Sequence, residues 1–584
     1  RPVQIRHARL LAPPDGSYRG AGDLVPIVGT ASVAGPMQYL VEIGRGALPE
    51  SWSPLISGTQ PIVEGILAVW DTASIQNAGE YTLRLRLSAP SYAGEDRRHV
   101  YLDPDYRVGW PQRVRSRISN ESLAIGDING DGQAEIVAGE GLRTCGGALE
   151  GGRCGRYGML LYAWRADGRP LSGWPVSPGS DNWLTSPALA DLNGDGVDDV
   201  VVGSVDGRVY AYDGQGRALP GWPRQATAPS YPQHGPAQVR AAPACADLDA
   251  DGKMDVVVAT TMGQVYAWSG TGALLAGWPQ NLTDGIAPSP ASIAAEGQSP
   301  ALMDVDGDGS IDVFVVDSAG NAALWHADGR PFPGWPKRAP SGFWAAPVIG
   351  DLDFDGQREL LALSEAGVRL WRVDGSDVTG AAWGQVPGSL GSSPAVADLD
   401  GDRRADIAYV DLTGHLQMRR SNGEALSSSP PSYIGNSSSS PIAIDLDGDG
   451  DLEVLLAGHD DDGQIYAFHH HGDPVSGWPR PVPIRERVNG IPLYPFYWPR
   501  RCGLSAADLD VDGRAELALG IEGYVLIWDS FGRQSDSWPT FRGDMRRSGA
   551  KVWTGWQCHL PLLQNVPVTL GAFQENQGSS LKKG

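Results

Sequence analysis

The stretch SPALMDVDGDGSIDVFVVDSAGNAALWHADGRPFPGWP, residues 299–336, decides the fold. It opens with Ser-Pro and a short apolar strand, turns through an acidic loop that begins at Asp304, and continues as the apolar run DVFVV. A turn and a second run, NAALW, follow, and an Asp-Gly turn then leads into a segment ending Gly-Trp-Pro at Trp335. Short apolar runs punctuated by Gly, Asp and Pro read as β-strands joined by tight turns. The stretch therefore spells four strands, a unit that must pack against copies of itself.

Copies are present. The acidic loop recurs as DINGDGQAE from Asp127, DLNGDGVDD from Asp191, DLDADGKMD from Asp247, DVDGDGSID from Asp304, DLDFDGQRE from Asp351, DLDGDRRAD from Asp398, DLDGDGDLE from Asp445 and DLDVDGRAE from Asp508. Their first residues lie 47 to 64 positions apart, comparable to other four-stranded blade repeats of about 40 to 50 residues. The flanks repeat too: SPALAD, APACAD, APVIGD, SPAVAD and SPIAID precede loops, and Gly-Trp-Pro closes units at Trp174, Trp222, Trp278, Trp335 and Trp478. One large aromatic per repeat at a fixed place is expected to wedge between stacked sheets rather than to touch a ligand. We expect an all-β chain forming an eight-bladed β-propeller, with seven blades as the alternative. Trp-Pro endings at Trp110 and Trp538 leave open which of the two completes the last blade.

The pattern D-x-D-x-D-G-x-x-D/E aims alternate oxygens at one centre, with a carbonyl at position 7 and a carboxylate at position 9 completing a hard all-oxygen shell that suits Ca²⁺. In the first two loops the donors are Asp127, Asn129, Asp131, the Gln133 carbonyl and Glu135, then Asp191, Asn193, Asp195, the Val197 carbonyl and Asp199. The third and fourth use Asp247, Asp249, Asp251, Lys253 and Asp255, and Asp304, Asp306, Asp308, Ser310 and Asp312. The fifth and sixth use Asp351, Asp353, Asp355, Gln357 and Glu359, and Asp398, Asp400, Asp402, Arg404 and Asp406. The last two use Asp445, Asp447, Asp449, Asp451 and Glu453, and Asp508, Asp510, Asp512, Arg514 and Glu516. Gly at position 6 permits the positive φ of the turn; the sixth loop has Arg403 there, which makes it the expected weakest or empty site. One such loop is an ordinary turn. Eight acidic copies without counter-ions would repel strongly, so we expect up to eight structural calcium ions.

These units resemble FG-GAP/VCBS repeats, the calcium-binding propeller blades similar to those of integrin alpha-subunit heads and many bacterial surface proteins. The resemblance covers roughly residues 105 to 545 and implies that each loop joins the innermost strand of its blade to the second and holds one Ca²⁺. Arg403 departs from the pattern, as does the blade number, because integrin heads have seven blades.

Residues 1–103 read as an immunoglobulin-like or fibronectin-like β-sandwich, from QYLVEIG, GILAVWDT and YTLRLRLSA separated by turn residues. The domain resembles accessory domains of secreted bacterial enzymes, particularly subtilisin-like proteases. Residues 104–549 form the propeller and 550–584 a packed tail or attachment segment. The net charge of −23 argues against nucleic acid or an anionic membrane as partner, and no run approaches a membrane-spanning length. The start at Arg1 without Met or a signal core reads as a mature or excised product. Cys145 and Cys154 flank a Gly-rich stretch suited to a disulfide-pinned loop, Cys502 and Cys558 form a second candidate pair, and Cys245 reads as a buried thiol. We expect a secreted, extracellular or cell-surface protein.

If the acidic loops share a face with the third-to-fourth turns, the longer connections emerge on the opposite face, where binding usually resides. That face carries Trp183, Tyr231, His234, Arg240, Trp344, Tyr433, Tyr494, Tyr497, Trp498 and Arg500, the composition of a protein hot spot or a sugar-stacking platform. His469, His470 and His471 read as a solvated turn, since three consecutive residues cannot all face one metal. No HExxH, GxSxG or phosphate-binding loop is present, and no catalytic residue is assigned. The leading expectation is a binding, adhesion or assembly module for a protein, a glycan or another copy of itself. A polysaccharide lyase on a calcium propeller and an accessory region of a larger secreted hydrolase are the alternatives.

Overall fold

The computed structural model describes residues 7–20, 24–73, 75, 78–118, 123–141, 159–179, 183–226, 237–282, 298–389, 391–427, 433–434, 439–458, 464–482, 487–488, 491–492, 503–538 and 550–551. The described residues are β-strands and turns, with a single short 3₁₀ segment at Ala381–Gln385. No helix among them is long and apolar enough to cross a membrane.

The first hundred residues make two sheets. Ala8–Ala12, Leu24–Ala31 and Ile62–Asp71 form one of three strands. Ser17–Gly20, Tyr92–Asp103, Gly79–Ala89, Gln38–Arg45 and Ser53–Gly58, in that spatial order, form one of five. Leu10, Ile27 and Trp70 from the first sheet and Val41, Leu83 and Leu85 from the second share one core. The alternation in QYLVEIG arises because one face of its strand meets that core while the other does not.

From residue 124 the chain builds consecutive antiparallel sheets. Ala188–Ala190, Asp199–Gly203, Arg208–Tyr212 and Arg224–Gln225 are the four strands of the second unit, each bonded to the next. The third, fourth and seventh units repeat this order, whereas the first and sixth show three strands and the fifth three with Ala550–Lys551 added in parallel at the inner edge. The second strands are continuously buried, as in DVVVG, because both faces meet a neighbouring sheet. The eighth unit begins with Leu504–Ala507, paired to residues 516–519. Its outer partner is remote in sequence: Gln112–Arg117 pairs antiparallel with residues 522–525, and Val525 faces Gln112. Trp538, by contrast, lies opposite Ala443 at the inner strand of the seventh unit.

The Gly-Trp-Pro segments join one unit to the next. Trp174, Trp222, Trp278 and Trp335 are buried, and their indole N–H groups donate to the carbonyls of Gly214, Gly270, Ala327 and Val373 of the following unit at 2.7–2.9 Å. Each ring meets an aromatic of that unit edge-on, as Trp278 meets Trp325 at 6.0 Å. Trp110 does the same to the first unit, donating to Ala166 at 2.9 Å and packing on Trp164. In the fifth unit, which lacks the motif, Trp383 of the 3₁₀ segment takes the place and donates to Ser421 at 2.9 Å. The motif's glycine is required by close approach: Gly277 has φ +86°, and a Cβ there would lie 1.8 Å from the Asp328 carbonyl oxygen. Gly277→Ala is therefore expected to destabilise the fold by about 2 to 4 kcal/mol in urea unfolding.

The two regions touch through an aromatic seam. Tyr18 packs on Tyr524 at 4.8 Å, Tyr106 on Trp528 at 5.2 Å, and the Trp528 indole donates to the buried Asp103 at 2.9 Å.

Candidate cation loops

Every acidic loop is folded by its own carboxylates. The position 1 aspartate accepts from the backbone N–H groups that follow: in the first loop Asp127 receives Gly130 at 2.7 Å and Gly132 at 2.8 Å, and in the second Asp191 receives Gly194 at 2.7 Å and Gly196 at 2.8 Å. That wrapping needs positive φ at positions 4 and 6, so both are usually glycine. Ala250, Phe354 and Val511 take φ of 60° to 63° at position 4, which sequence reasoning missed because it weighed position 6 alone. Arg403 takes φ +68° at position 6 and still donates its N–H to Asp398 at 2.8 Å, so the sixth loop keeps the common shape.

The position 9 acid starts the second strand and is buried in all eight units. One oxygen accepts the N–H of position 2, at distances from 2.6 Å in Leu509 to Glu516 up to 3.2 Å in Ile128 to Glu135. The second oxygen sorts the loops. Asn129 and Asn193 donate their amides to Glu135 and Asp199 in the first two. His469 lies 3.0 Å from Glu453 in the seventh, and His326 lies 3.4 Å from Asp312 in the fourth. Asp255 Oδ1, Asp312 Oδ1, Glu359 Oε1, Asp406 Oδ1 and Glu516 Oε1 are buried without a hydrogen-bond partner. A buried carboxylate oxygen in that state is costly unless a cation faces it.

Electrostatics agree. Burial, reinforced by the neighbouring aspartates, pushes the carboxyls of Glu135 and Glu453 up to about 8. It pushes those of Asp199, Asp255, Asp312, Glu359, Asp406 and Glu516 up to about 7. Donor atoms of Asp247, Asp249 and Asp251, of Asp304, Asp306 and Asp312, and of Asp447, Asp449, Asp451 and Glu453 each lie within 4.8 Å of one another. Such all-oxygen sets can hold a hard divalent cation. The third loop combines four carboxylates with no ion pair to a basic side chain among the described residues.

The histidines at the end of the seventh unit's third strand differ from expectation. His469 and His470 are ion-pair neighbours of Glu453 and Asp451, at 3.0 and 2.6 Å, and only His471 is half-exposed. The strand end lies beside the acidic loop of its own sheet, on the face that the acidic loops share with the third-to-fourth turns. On the opposite face, Arg240 stacks over Trp183 at 5.9 Å, Trp344 sits in the connection before the fifth unit with its indole nitrogen buried and unpartnered, and Tyr433 is 61% exposed beside His415. Tyr231, His234, Tyr494, Tyr497, Trp498, Arg500 and the Cys145–Cys154 and Cys502–Cys558 pairs lie outside the described residues. Cys245 is buried in an inner strand.

A family model described as FG-GAP-like repeat matches residues 151–202, 304–362, 351–409, 398–456 and 445–519. No curated protein matches the chain in sequence. Among solved structures, the V. cholerae biofilm matrix protein Bap1 is similar over 75% of this chain and 94% of its own, with 14% identity and a TM-score of 0.50, a likeness of fold. The structure of the Dos1 propeller matches over 72% of this chain and 95% of its own, at 11% identity and a TM-score of 0.41. With its repeated four-stranded sheets and FG-GAP-like repeats, the chain is an all-β repeat protein of the β-propeller kind.

Proposed function

We propose that this chain is an extracellular calcium-binding propeller of eight blades, preceded by an immunoglobulin- or fibronectin-like sandwich, and that it acts as a rigid module for binding, adhesion or assembly. The observation that carries the calcium reading is the set of five buried position 9 carboxylates whose second oxygens lack a hydrogen-bond partner. Calcium bound by the position 1, 3, 5 and 9 oxygens and the position 7 carbonyl supplies the missing charge, and its role is structural. Ring closure is supported by the pairing of Gln112–Arg117 with the eighth unit and by Trp110 wedged on the first. Closure by strands from both ends ties the last unit to the first, as in ring-shaped propellers. External calcium at millimolar levels fills even weak sites of this type, and the fold likeness to a biofilm matrix protein makes a matrix or adhesion role the first to test.

The raised carboxyls set a pH dependence. The folded chain without calcium holds protons on the position 9 acids up to about pH 7 to 8, whereas the unfolded chain releases them near 4. Folding is thus favoured at low pH, and that contribution is lost as pH rises through 7 to 8. Chelated protein is expected to melt lower at pH 8.5 than at pH 5.5, and saturating calcium is expected to reverse the order because it competes with protons. Scanning fluorimetry at both pH values checks this.

A partner, whether protein, glycan or a second copy, is placed on the face opposite the calcium loops, with Trp183 and Arg240 as its best-formed contact. Surface binding to a panel of acidic and neutral polysaccharides tests it. Trp183→Ala is expected to weaken binding tenfold or more with calcium content unchanged, about 1.4 kcal/mol or more. Equal binding by variant and parent contradicts that placement.

A further inference from the structure

The eighth acidic loop is reached by the most buried of the arginines that approach these loops, and among them only this one lies within 4 Å of a position 9 acid. Arg107, on the segment that links the N-terminal sandwich to the repeats, inserts its guanidinium between the loop and the acid that follows Trp528: Nη1 lies 3.1 Å from Asp510 and 3.6 Å from Glu516 of the loop, and 2.7 Å from Asp529. Its side chain is only 13% exposed. Two further bonds fix it, Nε to the Ala166 carbonyl of the first unit at 3.2 Å and its backbone N–H to the Ile527 carbonyl of the eighth at 2.9 Å. A planar guanidinium supplies several directed donors with a permanent positive charge, so it satisfies carboxylates that a metal ion otherwise bridges. Asp510 and Glu516 stand at positions 3 and 9, the places from which ligand oxygens come in the other loops.

We propose that Arg107 is the resident cation of the eighth loop, in place of calcium, and that it latches the first unit to the last. The junction where strands from both ends meet is then held by a covalent part of the chain and does not loosen when calcium falls. The sixth loop shows the same device in a more exposed form: Arg420 spans Asp400 at 2.8 Å and Asp402 at 2.5 Å, with its side chain 32% exposed. Arg372 and Arg165 reach the fifth and first loops less completely, each hydrogen-bonded to a single carboxylate, at 2.7 and 3.3 Å.

The inference rests on the calcium reading of the remaining loops, and native mass spectrometry of the full chain in saturating calcium separates the two. Removing the guanidinium opens the eighth loop, so Arg107→Gln is expected to carry one calcium ion more than the parent. The absence of that gain in folded Arg107→Gln overturns the inference, as does a parent chain with eight ions bound. Should Arg107→Gln fail to fold, Asp510→Ala decides: it is expected to leave the calcium count unchanged, while Asp249→Ala in the third loop, which removes a position 3 oxygen, lowers it by one. Loss of an ion in Asp510→Ala places calcium in the eighth loop and overturns the inference. A parent chain without bound calcium instead ends the reading of the other loops.

Discussion

Saturating calcium is expected to raise the melting temperature of the chelated protein by about 15 °C or more. An ion that binds only the folded state at a hundred times its dissociation constant contributes about 2.7 kcal/mol, and the loops offer several such sites at once. Five carry a buried carboxylate oxygen without a hydrogen bond, and two of these, the fourth and eighth, have a histidine or arginine near it. Even four occupied sites sum to about 11 kcal/mol, comparable to the whole stability of an ordinary domain. Cooperative stacking spreads the effect over the repeats, because neighbouring loops are bonded to one another: the Met254 N–H of the third loop donates to the Asp191 carbonyl of the second, and the Leu452 N–H of the seventh to the Leu399 carbonyl of the sixth, both at 3.1 Å. Calorimetry in chelator and in calcium measures it, and coincident melting curves oppose the account.

The second large effect concerns the wedges. Trp278→Ala is expected to destabilise the fold by about 3 to 5 kcal/mol, the range for emptying the place of a buried aromatic. The indole fills the space between the third and fourth units against Trp325, and its loss also strands the Ala327 carbonyl. Trp278→Phe keeps most of the packing and loses the hydrogen bond, so about 1 to 2 kcal/mol is expected. Trp183→Ala, on the half-buried opposite face, is expected to cost less than about 1 kcal/mol. Chemical denaturation of the three variants sets the order, and a Trp278→Ala midpoint equal to that of Trp183→Ala contradicts the wedge role.

Much of this architecture is legible in the sequence because the repeat writes it eight times. A loop such as DLDADGKMD fixes its turn through its own carboxylates, and the continuous apolar run after it announces a strand buried on both faces. What is not legible depends on partners remote in the chain. Arg107 meets Asp510 across 403 positions, and nothing local marks it as different from any other arginine. The Trp-Pro endings at Trp110 and Trp538 leave the strand that completes the last unit open, and Gln112–Arg117 is found paired with the eighth because only the assembled sheets bring residues 112 and 525 side by side. Trp383 carries no Gly-Trp-Pro signature yet occupies the same wedge, because volume and an indole donor are what that place selects. The left-handed backbone of Ala250, Phe354 and Val511 escaped notice for a related reason: the carboxylate of position 1 imposes it on residues that do not favour it.

Equilibrium dialysis against about one millimolar calcium, a level that fills weak extracellular sites, tests the central claim most directly when the dialysed protein is analysed for metal beside Asp255→Asn. The account predicts several calcium ions per chain and one fewer in the variant, whose orphaned third-loop oxygen is altered. A chain that emerges from dialysis without calcium, or a variant with the same content as its parent, contradicts it.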